Sequence, residues 1–228
     1  GGQFDNVICS RCDAVVALPK GSGRAFEAFI RELEGVLKNE YAVTDPDVTL
    51  TCAAAETAKA VPAERTVTLV QALTAMPQGV EAMDTDFPGL VQTSLNMGVV
   101  KLGGNGLHIA FSIRSSIASR KLMLAQRVRA VAALAGGTVA ERGVYPGWQY
   151  KRESQFRDTL LAAYKDLTGK DGVVEATHGG LECGLLMEKI PGLDAVSMGP
   201  ELHDVHSVRE RLSVPSTERT YELVCELL

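Results

Sequence analysis

Apolar residues recur along this chain in two rhythms. From Arg24 to Tyr41 they fall at Phe26, Phe29, Ile30, Leu33, Val36, Leu37 and Tyr41, the i, i+3, i+4, i+7 stripe of an amphipathic helix. Before it, Val7 to Leu18 is rich in Val, Ile, Cys and Ala and stops at Pro19-Lys20-Gly21, which predicts a strand. Asp45-Pro46 breaks the chain after the helix, and Val48, Leu50 and Cys52 alternate with Thr49 and Thr51 as in a half-buried strand. Val67, Leu69, Val70, Leu73 and Met76 predict a shorter helix ended by Pro77, with Gln78 to Gly89 as a loop. Leu95, Met97 and Val99 alternate, as do Leu107, Ile109, Phe111 and Ile113, and Gly103-Gly104-Asn105-Gly106 between them predicts a hairpin turn. Ser115-Ser116 is placed to cap a helix carried by Ile117, Leu124, Val128, Val131 and Ala135 and closed by Gly136-Gly137. Thr138 to Gly143 gives one more short strand.

The order β-α-β, a helical insertion, then β-β-α-β approaches a ferredoxin-like split βαβ layout, an antiparallel sheet with helices on one face. Residues 1–143 are expected to form this α+β module. Tyr145-Pro146-Gly147-Trp148 reads as a junction, after which the pattern changes. Phe156, Leu160, Tyr164 and Leu167 mark a helix ended by Gly169. Val173 to Thr177 and Ala195 to Met198 read as strands, Leu181 to Met187 as a short helix, and Tyr221 to Leu228 as a last helix capped at Ser216. Residues 144–228 are therefore expected to be βα units of an α/β domain with a parallel sheet. So short a segment is not expected to fold alone.

Composition narrows the field. The 228 residues fit one large or two small domains. A net charge of −5 argues against a basic nucleic-acid footprint and against a polybasic membrane patch. No apolar run approaches the roughly 18 residues of a membrane span, and no signal-peptide pattern is visible. The five cysteines are odd in number and scattered, which fits a reducing, cytoplasmic setting better than a disulfide framework. Cys9 and Cys12 have C-x-x-C spacing, but no second pair completes a four-cysteine metal site, and the strand-like surroundings favour packing. The chain opens Gly1-Gly2-Gln3-Phe4 and enters a strand-like run at once, as expected if its natural start lies upstream.

Candidate chemistry rests on few residues. His108 shares a strand face with Ser112 and Arg114, opposite Leu107, Ile109 and Phe111, and reads as part of a solvated sheet face. Arg114 differs in kind, because its rigid fork suits a carboxylate. His178-Gly-Gly-Leu-Glu182-Cys-Gly184 lies where a predicted strand meets a helix, the place where backbone N–H groups receive ligands in α/β sheets. His203-Asp204-Val205-His206 follows the next predicted strand, so both loops are expected to face one cleft. No G-x-S-x-G elbow, P-loop or G-x-G-x-x-G fingerprint is present.

The runs Ser94-Leu-Asn-Met-Gly-Val-Val100, Ile113-Arg-Ser115, Tyr145-Pro-Gly-Trp148, His178-Gly-Gly-Leu-Glu-Cys-Gly184, Val196-Ser-Met-Gly-Pro200 and Val205-His-Ser207 occur in that order. In order and spacing this resembles the aminoacyl-histidine (Xaa-His) dipeptidases, co-catalytic zinc peptidases related to carnosinase and glutamate carboxypeptidase. The resemblance implies a ferredoxin-like lid domain over residues 1–143. Over residues 144–228 it implies the C-terminal part of a phosphorylase/hydrolase-like zinc peptidase α/β domain. It implies hydrolysis of a dipeptide substrate by a metal-bridged water with two zinc ions per intact site, cobalt and manganese being alternatives, and a homodimer formed through the lid.

Residue by residue, the resemblance makes His206 the last zinc ligand and leaves His203 incidental. Arg114 corresponds to a lid arginine that contacts the substrate carboxylate. Asn6 corresponds to a lid asparagine that helps bind substrate or polarise the scissile carbonyl, although Asp5 and Val7-Ile8-Cys9 depart from the family pattern. His178, Gly180 and Glu182 correspond to the loop lining the substrate end of the cleft. The family's H-x-D motif, its bridging aspartate and its general-base glutamate have no counterpart here. The N-terminal catalytic half is therefore an expected partner outside this chain, and the chain alone is expected to be inactive. Two further readings stay open. One is another amidohydrolase of the superfamily, such as a tripeptidase or aminoacylase. The other is a non-catalytic ferredoxin-like module for dimerisation or ligand binding.

Overall fold

A computed structural model describes residues 1–56, 59–104, 106–205 and 207–228. Its elements run α1 (Gly23–Glu40), α2 (Ala63–Ala75), β1 (Gly79–Met83), β2 (Val91–Gly103), β3 (Gly106–Ser115), α3 (Ala118–Leu134), α4 (Gln155–Thr168), α5 (Glu182–Lys189), β4 (Leu202–His203), β5 (Arg211–Leu212) and α6 (Val214–Leu227). The fold is mixed α/β. Strands β1, β2 and β3 form an antiparallel sheet in that spatial order.

The alternation along β2 and β3 decides which face is buried. Leu95 pairs with Ile113 and Met97 with Phe111, so these apolar side chains share one face. Helix α3 crosses that face, and α2 packs on α3. Leu95 and Leu124 are almost wholly buried and, with Met76 and Val128, form the core, against which Met97, Phe111, Ile113 and Val131 pack. Thr93 and Ser115 face each other across the hairpin at the end of this core, and their buried hydroxyls hydrogen-bond at 2.8 Å.

Ser115 thereby leaves the capping role read from the sequence. Its Oγ accepts the Ile117 N–H at 3.0 Å, and Ile117 takes the N-cap position of α3 with no side-chain cap. β1 lies in the segment expected to be a loop, because β2 offers a free edge that Gly79 to Met83 can pair with despite weak strand composition. The strands expected at 7–18, 48–52, 138–143, 173–177 and 195–198 have no ladder among the described residues. Apolar content makes a segment extended but does not supply a neighbour for its backbone groups, and Val15 and Val16 stay exposed. The expected parallel sheet is accordingly absent among the described residues, and the pair formed by β4 and β5 is antiparallel.

The junction after the sheet is pinned at several points. Arg152 Nε donates to Asp86 at 2.8 Å, and the Tyr150 ring meets Phe87 edge-on with centroids 4.8 Å apart. The Arg157 guanidinium lies 5.0 Å from the Tyr150 centroid and donates to the carbonyls of Lys151 and Arg152. Helix α4 begins at Ser154, whose Oγ accepts the Arg157 N–H at 3.1 Å and donates to Asp194 Oδ1 at 2.8 Å. The Phe156 N–H donates to the other Asp194 oxygen, and this bond, with the Ser154 hydroxyl, lowers the Asp194 pKa. Ser154→Ala removes the cap and strands part of the carboxylate's support. It is expected to cost about 1–2 kcal/mol, read as a lower denaturation midpoint at neutral pH.

Candidate functional site

The face of the sheet turned away from the core is polar. Ser94 stands opposite Arg114 and Asn96 opposite Ser112, at same-face positions of β2 and β3. His108 lies further along this face opposite Lys101 and is exposed, as the alternation predicted.

The N-terminal segment reaches this sheet from outside it. β1 pairs only with the first part of β2, leaving the rest of that edge free. Gly1 fills it, its carbonyl accepting the Val100 N–H at 2.9 Å and its amino group donating to the Val100 carbonyl at 2.6 Å. The chain then turns over β2, and the Val7 N–H points at the Phe4 carbonyl at 3.5 Å. Gly98 makes the approach possible. A Cβ there would stand 2.3 Å from the Phe4 carbonyl oxygen and 2.5 Å from that of Asp5. Asn96 holds the turn, its Nδ2 donating to the carbonyls of Asp5 at 2.7 Å and Val7 at 2.9 Å. Asn6 sits between these two anchors.

From the other side comes the loop that starts at His178. Its Nε2 and Ser94 Oγ are 2.8 Å apart, linking the loop to β2 across 84 residues of sequence. The imidazole Nδ1 is buried with no hydrogen-bond partner among the described residues. Burial and then the Arg114 cation lower the His178 pKa, and the Val91 backbone opposes them. The imidazole is thus held towards its neutral form. Gly180, two residues on, faces the Tyr145 ring, and a Cβ there would be 2.4 Å from Tyr145 Cδ1. Tyr145 is held in turn by Lys121, whose ammonium donates to its carbonyl and whose pKa is lowered by burial. The two glycine-bearing motifs therefore touch each other.

Glu182 opens α5 and is exposed, and its charge reaches the Tyr145 phenol, whose pKa is raised mainly by burial. The Arg114 guanidinium is exposed and has no carboxylate partner among the described residues. The structure thus gathers Arg114, the Asn6 turn and the His178–Gly180 loop around one sheet face, with Glu182 at the loop's far end. Sequence reasoning missed Ser94 and Asn96, which make the connections. Their signal was two polar residues at alternate positions, interleaved with the apolar Leu95 and Met97.

His206 lies outside the described residues. His203 is exposed in β4, beside Asp204, which pairs with Arg211 at 2.7 Å. The two extended segments at 173–177 and 195–198 do line a common cavity of about 270 Å³ together with Trp148 and Leu181, but neither His178 nor His203 is in its wall. Among the described residues no group of three or more His, Cys, Asp or Glu side chains could hold a metal ion. The described residues therefore do not by themselves fit the zinc centre that the sequence resemblance implies. Cys9 and Cys12 are exposed free thiols outside any such group.

An α/β protein whose sheet presents an unpaired arginine and a glycine-rich loop on one polar face fits a binder of small carboxylate-bearing molecules. Comparison with known proteins narrows the class. No family model matches the chain. The cytosol non-specific dipeptidase of Escherichia coli (strain K12) is 31% identical over 229 residues, covering all of this chain and 47% of that protein. The crystal structure of aminoacylhistidine dipeptidase from Vibrio alginolyticus superposes with a TM-score of 0.83 at 29% identity, covering 92% of this chain and 43% of that one. Aminopeptidase PepT from Bacillus cereus shares the fold, with a TM-score of 0.54 at 20% identity over 71% of this chain and 44% of its own. The chain is similar to these dipeptidases over the region it covers, and it spans about half the length of these relatives. No helix among the described residues is long and apolar enough to cross a membrane.

Proposed function

We propose that this chain is the substrate-terminus half of a metallo-dipeptidase, a hydrolase of peptide bonds in free dipeptides. The observation that carries the reading is the unpaired Arg114 on the same sheet face as the Asn6 turn and the His178–Gly180 loop, in a chain that matches dipeptidases throughout its length. A guanidinium fork receives the free C-terminal carboxylate by charge-assisted hydrogen bonds. Asn6 and the Gly180 loop flank the peptide. Residues 1–143 act as the lid and as the homodimer surface, and residues 144–228 belong to the catalytic domain. The metal is zinc, with His206 as this chain's contribution to its ligands. The favoured substrates carry a C-terminal histidine.

The test uses the full-length protein with metal analysis on the same sample. A panel pairs each dipeptide, Xaa-His included, with its C-terminal amide. The expected result is bound zinc, hydrolysis of free dipeptides that a chelator abolishes, and kcat/KM at least about tenfold lower for the amides. Equal turnover of acids and amides overturns the carboxylate reading. Full activity after complete metal removal overturns the metallopeptidase reading.

A further inference from the structure

We propose that Ser94 and Asn96 are positioning residues: β2 is the template that sets both sides of the substrate-terminus site. The inference rests on the reading of Arg114, Asn6 and the His178 loop given under Proposed function, and it adds how those groups come to be aligned. Arg114 is carried by β3, its place fixed by the register that sets it opposite Ser94. Asn6 and His178 are different. Both lie on irregular backbone, far apart in sequence, and each is tied to β2 by a side chain on the same polar face.

The chemistry of Asn96 suits this task. One amide nitrogen carries two hydrogens and satisfies the two carbonyls on either side of Asn6, at 2.7 and 2.9 Å. A serine has one hydrogen to give, and an ionised aspartate has none and repels both carbonyls. The turn has little else to hold it, since its own backbone contact is 3.5 Å long. Ser94 does the equivalent work for His178. The Ser94 hydroxyl is the side chain that orients the ring, beside the Val91 backbone. Ser94 and Asn96 are two residues apart, a spacing of about 7 Å along a strand. Both contacts and Arg114 therefore share one rigid ruler.

The test is a double-mutant cycle in the full-length enzyme with a dipeptide substrate. Asn96→Ala and Asn6→Ala are each expected to lower kcat/KM by about 10- to 100-fold, with the double variant no worse than Asn6→Ala alone. A purely structural role for Asn96 would instead lower thermal stability and add to the Asn6 effect. Independent, multiplying losses therefore overturn the positioning role while leaving the site reading intact. An Asn6→Ala variant with unchanged kcat/KM overturns the Asn6 part of the site reading and this arm of the proposal with it. Should Asn96→Ala fail to fold, the near-isosteric Asn96→Asp is measured in its place with the same expectations. For the other arm, Ser94→Ala is expected to lose activity and Ser94→Thr, which keeps the hydroxyl, to restore most of it. Equal activity of Ser94→Ala and the parent enzyme overturns that arm.

Discussion

Leu124→Ala is expected to destabilise the sheet module by about 3–5 kcal/mol. The side chain is fully buried where α3 meets the sheet, in a core made of little more than Met76, Leu95 and Val128. Truncation removes three heavy atoms' worth of apolar burial and leaves a cavity that neighbours on rigid strands cannot collapse into. Because this cluster is small, the lost contacts fall on few neighbours. Chemical denaturation measures the effect as a shift of midpoint. Leu134→Ala is the control, since that residue is 88% exposed at the end of the same helix and should change stability by less than about 0.5 kcal/mol. Comparable losses in the two variants would mean that the core lies elsewhere.

Arg114→Ala, in the full-length enzyme, is expected to lower kcat/KM for free dipeptides by about 10- to 100-fold, the value of a charge-assisted hydrogen bond to a carboxylate. The loss should fall on KM, because the carboxylate is bound alike before and during the reaction. Arg114→Lys should recover only part of it, since an ammonium restores the charge but not the bidentate fork. The C-terminal amide of the same dipeptide should be nearly indifferent to both substitutions. Unchanged affinity for the free acid in Arg114→Ala removes Arg114 from the site. The residue is also the cation acting on His178, so its loss should bring the His178 pKa back towards the ordinary histidine value.

Local rhythm in the sequence carried the elements that depend on local rhythm. The stripe from Phe26 to Leu37 became α1, the paired alternations became the β2–β3 hairpin, and the helix ended by Gly169 became α4. Strand pairing is not local, and there the reading failed in both directions. β1 forms because β2 has an open edge, a fact about residues 8 to 16 positions away, whereas the Val-rich stretch from Val173 to Thr177 has no ladder among the described residues. The site divides in the same way. Arg114 could be placed on the polar face by counting alternate residues from Ile113. The roles of Ser94 and Asn96 could not be counted, because their partners lie 84 to 91 positions distant. Gly98 and Gly180 lie in runs legible in the sequence, yet the surfaces that exclude a side chain there, a carbonyl pair and a tyrosine ring, emerge only in the fold.

The chain's single tryptophan, Trp148, stands in the wall of the cavity between the sheet's end and α5, away from the Leu124 core. Its indole is therefore an optical probe built into one seam of the protein. Fluorescence follows the opening and hydration of that seam, while the helical signal in circular dichroism follows the whole chain. The two spectra, recorded on one sample, separate the parting of the two segments from the melting of either.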